Sequence, residues 1–485
     1  MKVKISIIGA GSAIFSLRLV GDICRSSELR DSLVSLMDID EKRLWSIYTL
    51  AKRYAEELGA KVEFERTTDI ERSIDGADFV INTALVGGHE QMEIVRKVGE
   101  RYGYYRGIDA QEFNFVSDYY TFSNYNQLKF FLNVAKLVEK LSPSAWLLQT
   151  ANPVFEGTNL IYRLVDVKVV GLCHGFHDVF VIMRTLGLDE KEIDWQIAGF
   201  NHAIWLTRFR KDGEDLYPLI DEWIEKKSAD WKPKHPFDVQ MSPTAIDMYR
   251  FYGRFPVGDT VRNGSWKYNR DLKTKMKWFG EPWGGPDSEI GWEWYHNRVS
   301  EIATIMQKVA EYLERDPKMK LLSEETKSFV LESMEKHDGI GNFVNDVFRM
   351  FDPEKMSGEQ HVPFMESIVG GKKHRLFLNI PNEPRVIDGL PKDVIVEVPV
   401  LVDEDGIHPE KIEPPIPKRI LKFYLIPRMM RMELSYEAFT TGDRRILEEV
   451  LMRDPRTTSH EQVVKVLDAI LSLPFNADMR KHYHS

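Results

Sequence analysis

The chain has 485 residues, of which 43% are apolar and 29% charged, a composition typical of a globular protein long enough to fold as two domains. The formal net charge is −10 and the sequence has no long basic run, which argues against nucleic acid as a partner. No apolar run is long enough to cross a membrane, which argues against a membrane partner. The two cysteines, Cys24 and Cys173, are too few for a disulfide framework, and the N-terminal apolar run is too short for a signal peptide. We therefore expect a cytoplasmic protein.

Strand and helix signals alternate through the first part of the chain. The pattern of apolar residues predicts strands over residues 3–8, 33–37, 62–66, 78–83, 145–150 and 167–172, and helices over residues 12–24, 41–58 and 124–141. Such alternation is typical of an α/β fold with a Rossmann-type, doubly wound parallel sheet. We assign residues 1–195 to this domain.

The pattern is less regular after residue 194. Apolar runs predict strands over residues 198–209, 376–380 and 394–402, and helical spacing predicts helices over residues 288–313, 417–439 and 461–471. The stretch 231–286 is rich in proline, glycine and tryptophan and has no clean period. We therefore expect residues 196–485 to form a second, α+β domain.

A glycine pair, in Gly9-Ala10-Gly11-Ser12, separates the first predicted strand from the first predicted helix. Glycines there let the backbone approach a pyrophosphate, and the helix N-terminus supplies amide donors, although Ile14 replaces the third glycine of the usual fingerprint. Asp38 ends the next strand, where a carboxylate binds ribose hydroxyls and favours NAD over NADP; Asp40 could share this role. The alternative is a tight turn in a fold that binds no nucleotide. The candidate cofactor-binding residues are Gly9, Gly11, Ser12, Ala13, Asp38 and Asn82.

Polar residues follow the carboxyl ends of later strands, the edge at which open α/β sheets bind ligands. Asn152 can bind a substrate hydroxyl, or it can simply cap the turn before Pro153. Cys173 follows the next strand, and His202 lies further along the chain. A thiolate and an imidazole can form half of a catalytic metal site, with substrate oxygens and water filling the rest. The alternatives are an inert buried thiol and a structural histidine.

A third polar group is Asp259, which has Gly258 before it and Arg262 after it. A carboxylate presented by a loop near a cation can act as a general base. An aspartate that caps a short helix is equally compatible with the sequence.

Together these segments resemble glycoside hydrolase family 4, the NAD- and metal-dependent glycosidases, which depart from the usual two-carboxylate mechanism. The resemblance extends over nearly the full chain, and several blocks in the right order are far more specific than any one of them. We expect the two domains to have a lactate/malate dehydrogenase-like architecture. The matching blocks are Gly9-Ala10-Gly11-Ser12, Met37-Asp38-Ile39-Asp40, Tyr104-Tyr105-Arg106-Gly107-Ile108-Asp109, Val116-Ser117-Asp118-Tyr119-Tyr120, Ala151-Asn152-Pro153, Cys173-His174-Gly175-Phe176, Asn201-His202, Val398-Pro399 and Gly406-Ile407-His408-Pro409.

The resemblance implies a role for each candidate residue. Cys173 and His202 would bind a divalent metal, manganese first and cobalt second, although thiolate and imidazole suit zinc or cobalt better by ligand softness. Asn152 would bind a substrate hydroxyl near the nicotinamide. Asp259 would act as the general base and His174 as the acid toward the leaving group.

The residues that follow the cysteine track specificity in this family. The sequence Cys173-His174-Gly175 resembles α-glucuronidases, whereas α-glucosidases resemble Cys-His-Glu and α-galacturonidases Cys-His-Ser. The resemblance therefore implies α-D-glucuronides as substrates, with α-glucosides and α-galacturonides as alternatives. A bidentate arginine is the natural partner of a sugar carboxylate, and Arg262 and Arg106 are candidates that can instead form structural ion pairs. The candidate substrate-binding residues are Asn152, Arg262 and Asp118.

The implied reaction is an oxidation, elimination, addition and reduction at the sugar, with transient hydride transfer from C3 to NAD+. By analogy with the family we expect a homodimer or a homotetramer. One rival is an NAD-dependent 2-hydroxy acid dehydrogenase, although the sequence has no catalytic histidine segment of that type. The other is a nucleotide-sensing protein without catalysis.

Overall fold

The structure is a computed structural model that describes residues 2–105, 125–316, 318–334 and 340–483. The strands are β1 (Lys4–Ile8), β2 (Leu33–Met37), β3 (Glu63–Thr67), β4 (Phe79–Asn82), β5 (Trp146–Gln149), β6 (Lys168–Leu172), β7 (Asp194–Phe200), β8 (Ala203–Lys211), β9 (Glu214–Asp215), β10 (Phe255–Val257), β11 (His374–Pro381), β12 (Ile395–Asp403) and β13 (Gly406–Pro409). The helices are α1 (Ala13–Arg25), α2 (Glu41–Leu58), α3 (Ile70–Ile74), α4 (Gly88–Arg101), α5 (Tyr125–Leu141), α6 (Val154–Leu164), α7 (Asp178–Leu186), α8 (Tyr217–Lys227), α9 (Pro243–Tyr252), α10 (Leu272–Phe279), α11 (Glu289–Arg315), α12 (Glu324–Ser333), α13 (Ile340–Arg349), α14 (His361–Gly370), α15 (Lys418–Ile420), α16 (Ile426–Thr441), α17 (Arg444–Met452), α18 (His460–Leu471) and α19 (Ala477–His482).

The first six strands of the described chain form a parallel sheet in the order β3-β2-β1-β4-β5-β6. The order steps outward from β1 in both directions, so β1 and β4 flank the switch point at which such sheets bind ligands. The predicted Rossmann-type α/β fold is confirmed.

Successive residues of the central strands pack on opposite faces of this sheet. Ile5 and Ile7 belong to one hydrophobic cluster, and Ile8 and Val80 belong to the other. All four are fully buried. Strands that are buried on both faces read as continuous apolar runs, which is why the sequence pattern shows them clearly.

The second half of the chain extends the same sheet with antiparallel strands. β11 pairs with β6, and the order then continues β11-β12-β7-β8-β10. The parallel sheet expected of the first part of the chain thus holds for β1 to β6, and the sequence analysis did not predict that later strands extend the same sheet. β7 crosses residue 195, and the division of the chain into two domains stays a prediction.

The predicted strand over residues 198–209 is wrong. It is the end of β7, a turn at Asn201-His202 and most of β8. His202 has a φ of +57°, in the left-handed region that interrupts a strand. The residues on both sides of the turn are buried, so the apolar pattern runs through it without a break. The correction puts His202 at the tip of a hairpin.

The described part of the chain contains helices that the apolar pattern did not predict, among them α6 to α10, α14 and α17. α6 begins directly after Asn152-Pro153, and α7 begins a few residues after Cys173. Both therefore start at the carboxyl edge of the sheet. Within these ranges, no helix combines the length and the apolar character needed to cross a bilayer.

Candidate functional site

The turn after β1 holds the glycines of the expected dinucleotide site. Gly9 has a φ of +85°, and a Cβ there would lie 2.6 Å from Ala84 Cα, so the turn accepts only glycine. Ser12 precedes α1, and its side chain makes no capping hydrogen bond to the first turn of that helix. The first backbone amides of α1 thus have no side-chain cap, which fits a pyrophosphate at the helix N-terminus.

Asp38 lies at the end of β2, beside this turn. Its Oδ2 accepts a hydrogen bond from the Gly11 N–H at 2.7 Å, and its Oδ1 accepts one from the Asp40 N–H at 2.9 Å. Each carboxylate oxygen has a second acceptor position, so ribose hydroxyls can bind as well. Asp40 instead caps α2, because its Oδ1 accepts from the backbone N–H groups of residues 42 and 43 at 3.1 and 3.0 Å. Asp38 is therefore the better candidate of the two acids.

Two further candidate cofactor residues lie near the turn. Ala13 is the first residue of α1. Asn82 ends β4 and is fully buried, with its Nδ2 donating to Gln149 Oε1 at 2.9 Å and its Oδ1 accepting from the Ala84 N–H at 3.3 Å. The Asn82 side chain thus joins β4 to β5 below the cleft, and its contact with a cofactor stays a prediction.

Cys173 and His202 come together at the carboxyl edge of the sheet. Cys173 Sγ lies 3.5 Å from His202 Nε2. Burial raises the pKa of the Cys173 thiol, and the Glu397 carboxylate adds to that rise. Burial lowers the pKa of His202 to about 4. Both groups are therefore neutral at pH 7, and a cation must displace the thiol proton in order to bind.

The two side chains fit a shared divalent cation. Bonds of about 2.3 Å to sulfur and about 2.1 Å to nitrogen are compatible with donors 3.5 Å apart. Asp259 Oδ2 lies 3.2 Å from His202 Nε2, but the described residues contain no group of three His, Cys, Asp or Glu that could hold a metal. The thiol and imidazole would thus leave coordination positions open, as a catalytic metal requires.

Asp259 lies beside this pair and is held by Arg262. Arg262 Nη1 donates to Asp259 Oδ1 at 2.6 Å, while its Nε and Nη2 donate to the two oxygens of Asp287 at 3.0 and 2.7 Å. Burial alone would raise the pKa of Asp259, but the guanidinium outweighs it and holds that pKa below its usual range. Arg262 thus forms the structural ion pair that the sequence left open, and its contact with a sugar carboxylate stays a prediction.

His174 faces a carboxylate that the sequence analysis missed. Its Nδ1 lies 3.3 Å from Glu359 Oε1, and Arg18 Nη1 lies 3.4 Å from the same oxygen. The Glu359 carboxylate raises the pKa of His174, as the role of an acid requires. The neighbouring Gln360 fixes this segment by donating to the backbone oxygen of Cys173 at 3.1 Å. No local pattern marks Glu359, since it approaches from 185 residues away along the chain.

A second missed residue is Glu397, which is fully buried in β12. Its Oε2 accepts a hydrogen bond from Asn201 Nδ2 at 3.0 Å, and Asn201 adjoins His202. Burial raises the pKa of Glu397 to about 7. The sequence did contain a signal for Glu397, since an acid lies there within an apolar run. A carboxyl group that is buried with its apolar neighbours needs a compensating partner. Glu397 positions the turn that carries His202.

Asn152 completes the described part of the site. It lies half-buried between β5 and α6, and its buried Oδ1 accepts no hydrogen bond from the described residues. That oxygen can therefore accept one from a substrate hydroxyl. Asp118 and Arg106 lie outside the described residues, and their roles stay predictions.

Three curated enzymes are similar to this chain over different lengths. An α-galactosidase from Bacillus subtilis is 31% identical over 255 residues, which are 51% of this chain and 56% of that enzyme, so this match spans about half of each. An α-galactosidase from Rhizobium meliloti is 26% identical over 458 residues, or 93% of this chain and 84% of that enzyme. An α-galacturonidase from Lachnoclostridium phytofermentans is 22% identical over 497 residues, or 97% and 95%.

Two solved structures share the fold. A 6-phospho-α-glucosidase from gut microorganisms, in complex with NAD and Mn2+, superposes with a TM-score of 0.70 at 16% identity and covers 97% of this chain and 98% of its own. A 6-phospho-β-glucosidase from Thermotoga maritima, with NAD and glucose-6-phosphate, has a TM-score of 0.69 at 17% identity and covers 99% of both chains.

Two family models cover most of the sequence. Residues 4–188 match the model described as family 4 glycosyl hydrolase, and residues 197–457 match the model of the family 4 C-terminal domain. Because both matches name one family, the chain belongs to glycosyl hydrolase family 4.

Proposed function

We propose that this family 4 enzyme hydrolyses α-D-glucuronides by transient oxidation of the sugar, with NAD and a divalent cation, manganese first and cobalt second. The observation that carries this proposal is the distance of 3.5 Å between Cys173 Sγ and His202 Nε2, with Asp259 Oδ2 3.2 Å from the same nitrogen. These groups lie at the sheet edge that also holds the glycine turn. The presence of NAD and Mn2+ in the related 6-phospho-α-glucosidase supports the same pair here.

In this proposal Asn152, Asp259 and His174 each have one task in the reaction. Bound at the glycine turn, NAD would supply reversible hydride transfer at sugar C3, and a cation held by Cys173 and His202 would supply Lewis-acid polarisation of the sugar oxygens. Asn152 orients the ring by accepting a hydrogen bond from a hydroxyl. Asp259 is ionised at neutral pH and removes the C2 proton, which is acidic next to a C3 ketone. His174 gives a proton to the oxygen that leaves C1. Water then adds at C1 while Asp259, whose proton has exchanged with solvent, returns one to C2.

The choice of a uronate rests on Gly175 and on the names of relatives. A Cβ at Gly175 would meet only Cys173 Sγ, at 3.8 Å, so this position leaves room beside the thiol for a sugar carboxylate. Arg262, which contacts Asp259 directly, is the proposed cation for that carboxylate. The relative named α-galacturonidase acts on a uronate by its name, and those named α-galactosidase make α-galactosides a second candidate.

A panel of aryl glycosides tests the proposed function. The α-glucuronide, α-galacturonide, α-glucoside and α-galactoside would each be incubated with NAD and Mn2+ or Co2+ in D2O under reducing conditions. We expect cleavage of the glucuronide, with deuterium at C2 of the released sugar. Cleavage of another member alone would change the substrate, and cleavage without deuterium at C2 would rule out the elimination route. Release of one free NADH for each substrate molecule consumed would instead indicate a dehydrogenase.

We also propose a cytoplasmic location and a homodimeric or homotetrameric state. Cys173 must remain a reduced thiol to bind a cation, and a reducing compartment keeps it so. The oligomeric state rests on analogy with the family.

Metal affinity should rise with pH. The pKa of Cys173 is raised and His202 is neutral above its pKa of about 4, so binding of one cation releases one proton, that of the thiol. Between about pH 6 and pH 8 the dissociation constant for Co2+ should fall about tenfold per pH unit. Optical titration of the cobalt–thiolate absorption measures it. Cys173→Ser should bind cobalt more weakly and lose the absorption, and a serine variant that keeps the cobalt–thiolate absorption would contradict the assignment.

Glu359→Gln should move the alkaline limb of the kcat/KM profile to lower pH. The Glu359 carboxylate raises the pKa of His174, and a neutral amide does not, so the protonated acid is lost earlier as pH rises. Arg18→Gln is the matched control, because Arg18 lowers the same pKa and its removal should move the limb to higher pH. Shifts of the two variants in the same direction would argue against His174 as the acid.

A further inference from the structure

A cavity of about 780 Å³ lies between α9, the loop after Asn263, and the helical segment that contains α15 and α16. This volume lies in the range of small-molecule sites. Its apolar lining includes Tyr252, Tyr268, Phe423, Tyr424 and Met430. Phe423 is 62% exposed and Met430 is 52% exposed, so large apolar side chains face water at its mouth. These side chains are therefore available to contact the apolar part of a ligand in the cavity.

The same cavity is rich in positive charge. Among the described residues that line it, the cations are Arg250, Lys267, Arg428, Arg431 and Arg453, and the one acid is Asp247. Asp247 pairs with Lys267 at 2.5 Å, and two acids outside the lining, Glu449 and Glu156, pair with Arg453 at 2.7 Å and with Arg428 at 2.5 Å. Cations therefore outnumber acids here, in a chain whose net charge is −10. Rings beside guanidinium groups suit an organic anion with a flat apolar body.

Two residues that line this cavity also contact elements of the candidate active site. Tyr424 Oη donates to the backbone oxygen of Asn263 at 3.0 Å, and Asn263 Nδ2 donates to the backbone oxygen of His202 at 2.8 Å. Arg428 Nη2 contacts Glu156 Oε1 at 2.5 Å, in the first turn of the helix that follows the substrate-binding asparagine. The turn of the metal ligand and the start of α6 are thus both fastened to residues that line the cavity.

We propose that this cavity is a second ligand site, which takes an organic anion with a flat apolar group and is coupled to the Cys173–His202 pair through Tyr424. An occupant contacts Tyr424 and brings negative charge to the wall behind His202. Both the contact and the charge favour a cation at the pair, and by linkage the cation favours the anion to the same extent. Coupling to the cation rests on the metal site proposed above, whereas anion binding does not.

Binding is tested with anilinonaphthalene sulfonate and its uncharged analogue phenylnaphthylamine, followed by fluorescence. We expect saturable binding of one sulfonate per chain, with the uncharged analogue about tenfold weaker. Phe423→Ala and Arg250→Gln should each weaken binding of the sulfonate about tenfold. The matched controls are Leu331→Ala and Arg30→Gln, which change exposed residues away from the cavity and should leave binding unchanged. Equal losses of sulfonate affinity in the cavity variants and in the control variants would overturn the proposed site. An absence of saturable binding to the wild-type chain would overturn it as well.

Coupling is tested by titrating Co2+ with and without saturating sulfonate. We expect about fivefold tighter cobalt binding in its presence. Tyr424→Phe should retain sulfonate affinity within about twofold and show a smaller shift, since it lacks the hydroxyl that holds Asn263 while the charge of the sulfonate remains. A full shift in this variant would overturn the route through Tyr424. An unchanged cobalt affinity in the wild-type enzyme would overturn the coupling. A wild-type chain that binds no cobalt would refute the metal proposal, and fluorescence would still decide the anion site. Sedimentation that changes in Phe423→Ala while sulfonate binding does not would identify this face as an interface between copies and overturn the site.

Discussion

Asp259→Asn should lower kcat by about 10²–10⁴-fold, the contribution expected of a positioned general base. The amide keeps the size of the side chain but cannot take the C2 proton. Arg262 keeps its two contacts with Asp287, so the substitution does not leave that guanidinium unpaired. Cobalt should still bind, because Cys173 and His202 are unchanged. The measurements are kcat with an aryl α-glycoside, deuterium at C2 of the released sugar, and cobalt affinity.

Asp287→Asn is the matched control for this variant. It removes a carboxylate from the same arginine, whereas the carboxylate that approaches His202 Nε2, at 3.2 Å, is that of Asp259. We expect it to lower stability while deuterium still enters at C2. Loss of C2 exchange to the same degree in both variants would mean that the ion pairs of Arg262, and not proton abstraction by Asp259, account for the defect.

Arg428→Met should destabilise the protein by about 3–5 kcal/mol, the usual result of breaking a buried ion pair on one side. Arg428 and Glu156 are 1% and 5% exposed, and they approach to 2.5 Å. Removal of the arginine leaves the Glu156 carboxylate buried without this partner. The midpoint and slope of urea unfolding measure the loss. The double variant with Glu156→Leu should recover most of it, because a well-packed apolar pair replaces both charges.

Arg453→Met gives the comparison for an exposed pair. Arg453 and Glu449 are 56% and 62% exposed, so water already screens their contact. We expect a change of less than about 1 kcal/mol. Equal losses in Arg428→Met and Arg453→Met would show that the burial of the first pair does not govern its effect.

The parallel half of the fold could be predicted because its strands, apart from the polar edge strand β3, are isolated apolar runs between turns and amphipathic helices. The antiparallel half could not, since a pattern of apolar residues shows that a strand exists but not which strand it pairs with. Leu378 lies opposite Leu172 in the sheet, and nothing near either residue indicates the pairing. The break at His202 was also hidden, because buried residues continue on both sides of the turn.

The candidate site divides in the same way. Cys173, Asn152 and the glycine turn follow strands directly, so their positions at the sheet edge could be predicted from their own neighbours in the sequence. Glu359 and Glu397 could not be predicted, because each reaches its partner across 185 or 196 residues. Their roles depend on burial and on the approach of a histidine or an asparagine, which are properties of the folded chain.

The position of β11 and β12 between β6 and β7 has a consequence for biosynthesis. Cys173 follows β6 and His202 follows β7, and β11 and β12 lie between these two strands in the sheet. A ribosome therefore releases Cys173 and His202 well before it releases β11 and β12. Until then a nascent chain has an uncovered, apolar strand edge at β6, which invites pairing with other chains. Cation loading should therefore follow completion of the polypeptide, and a chain stalled before residue 374 should depend on chaperones to stay dispersed.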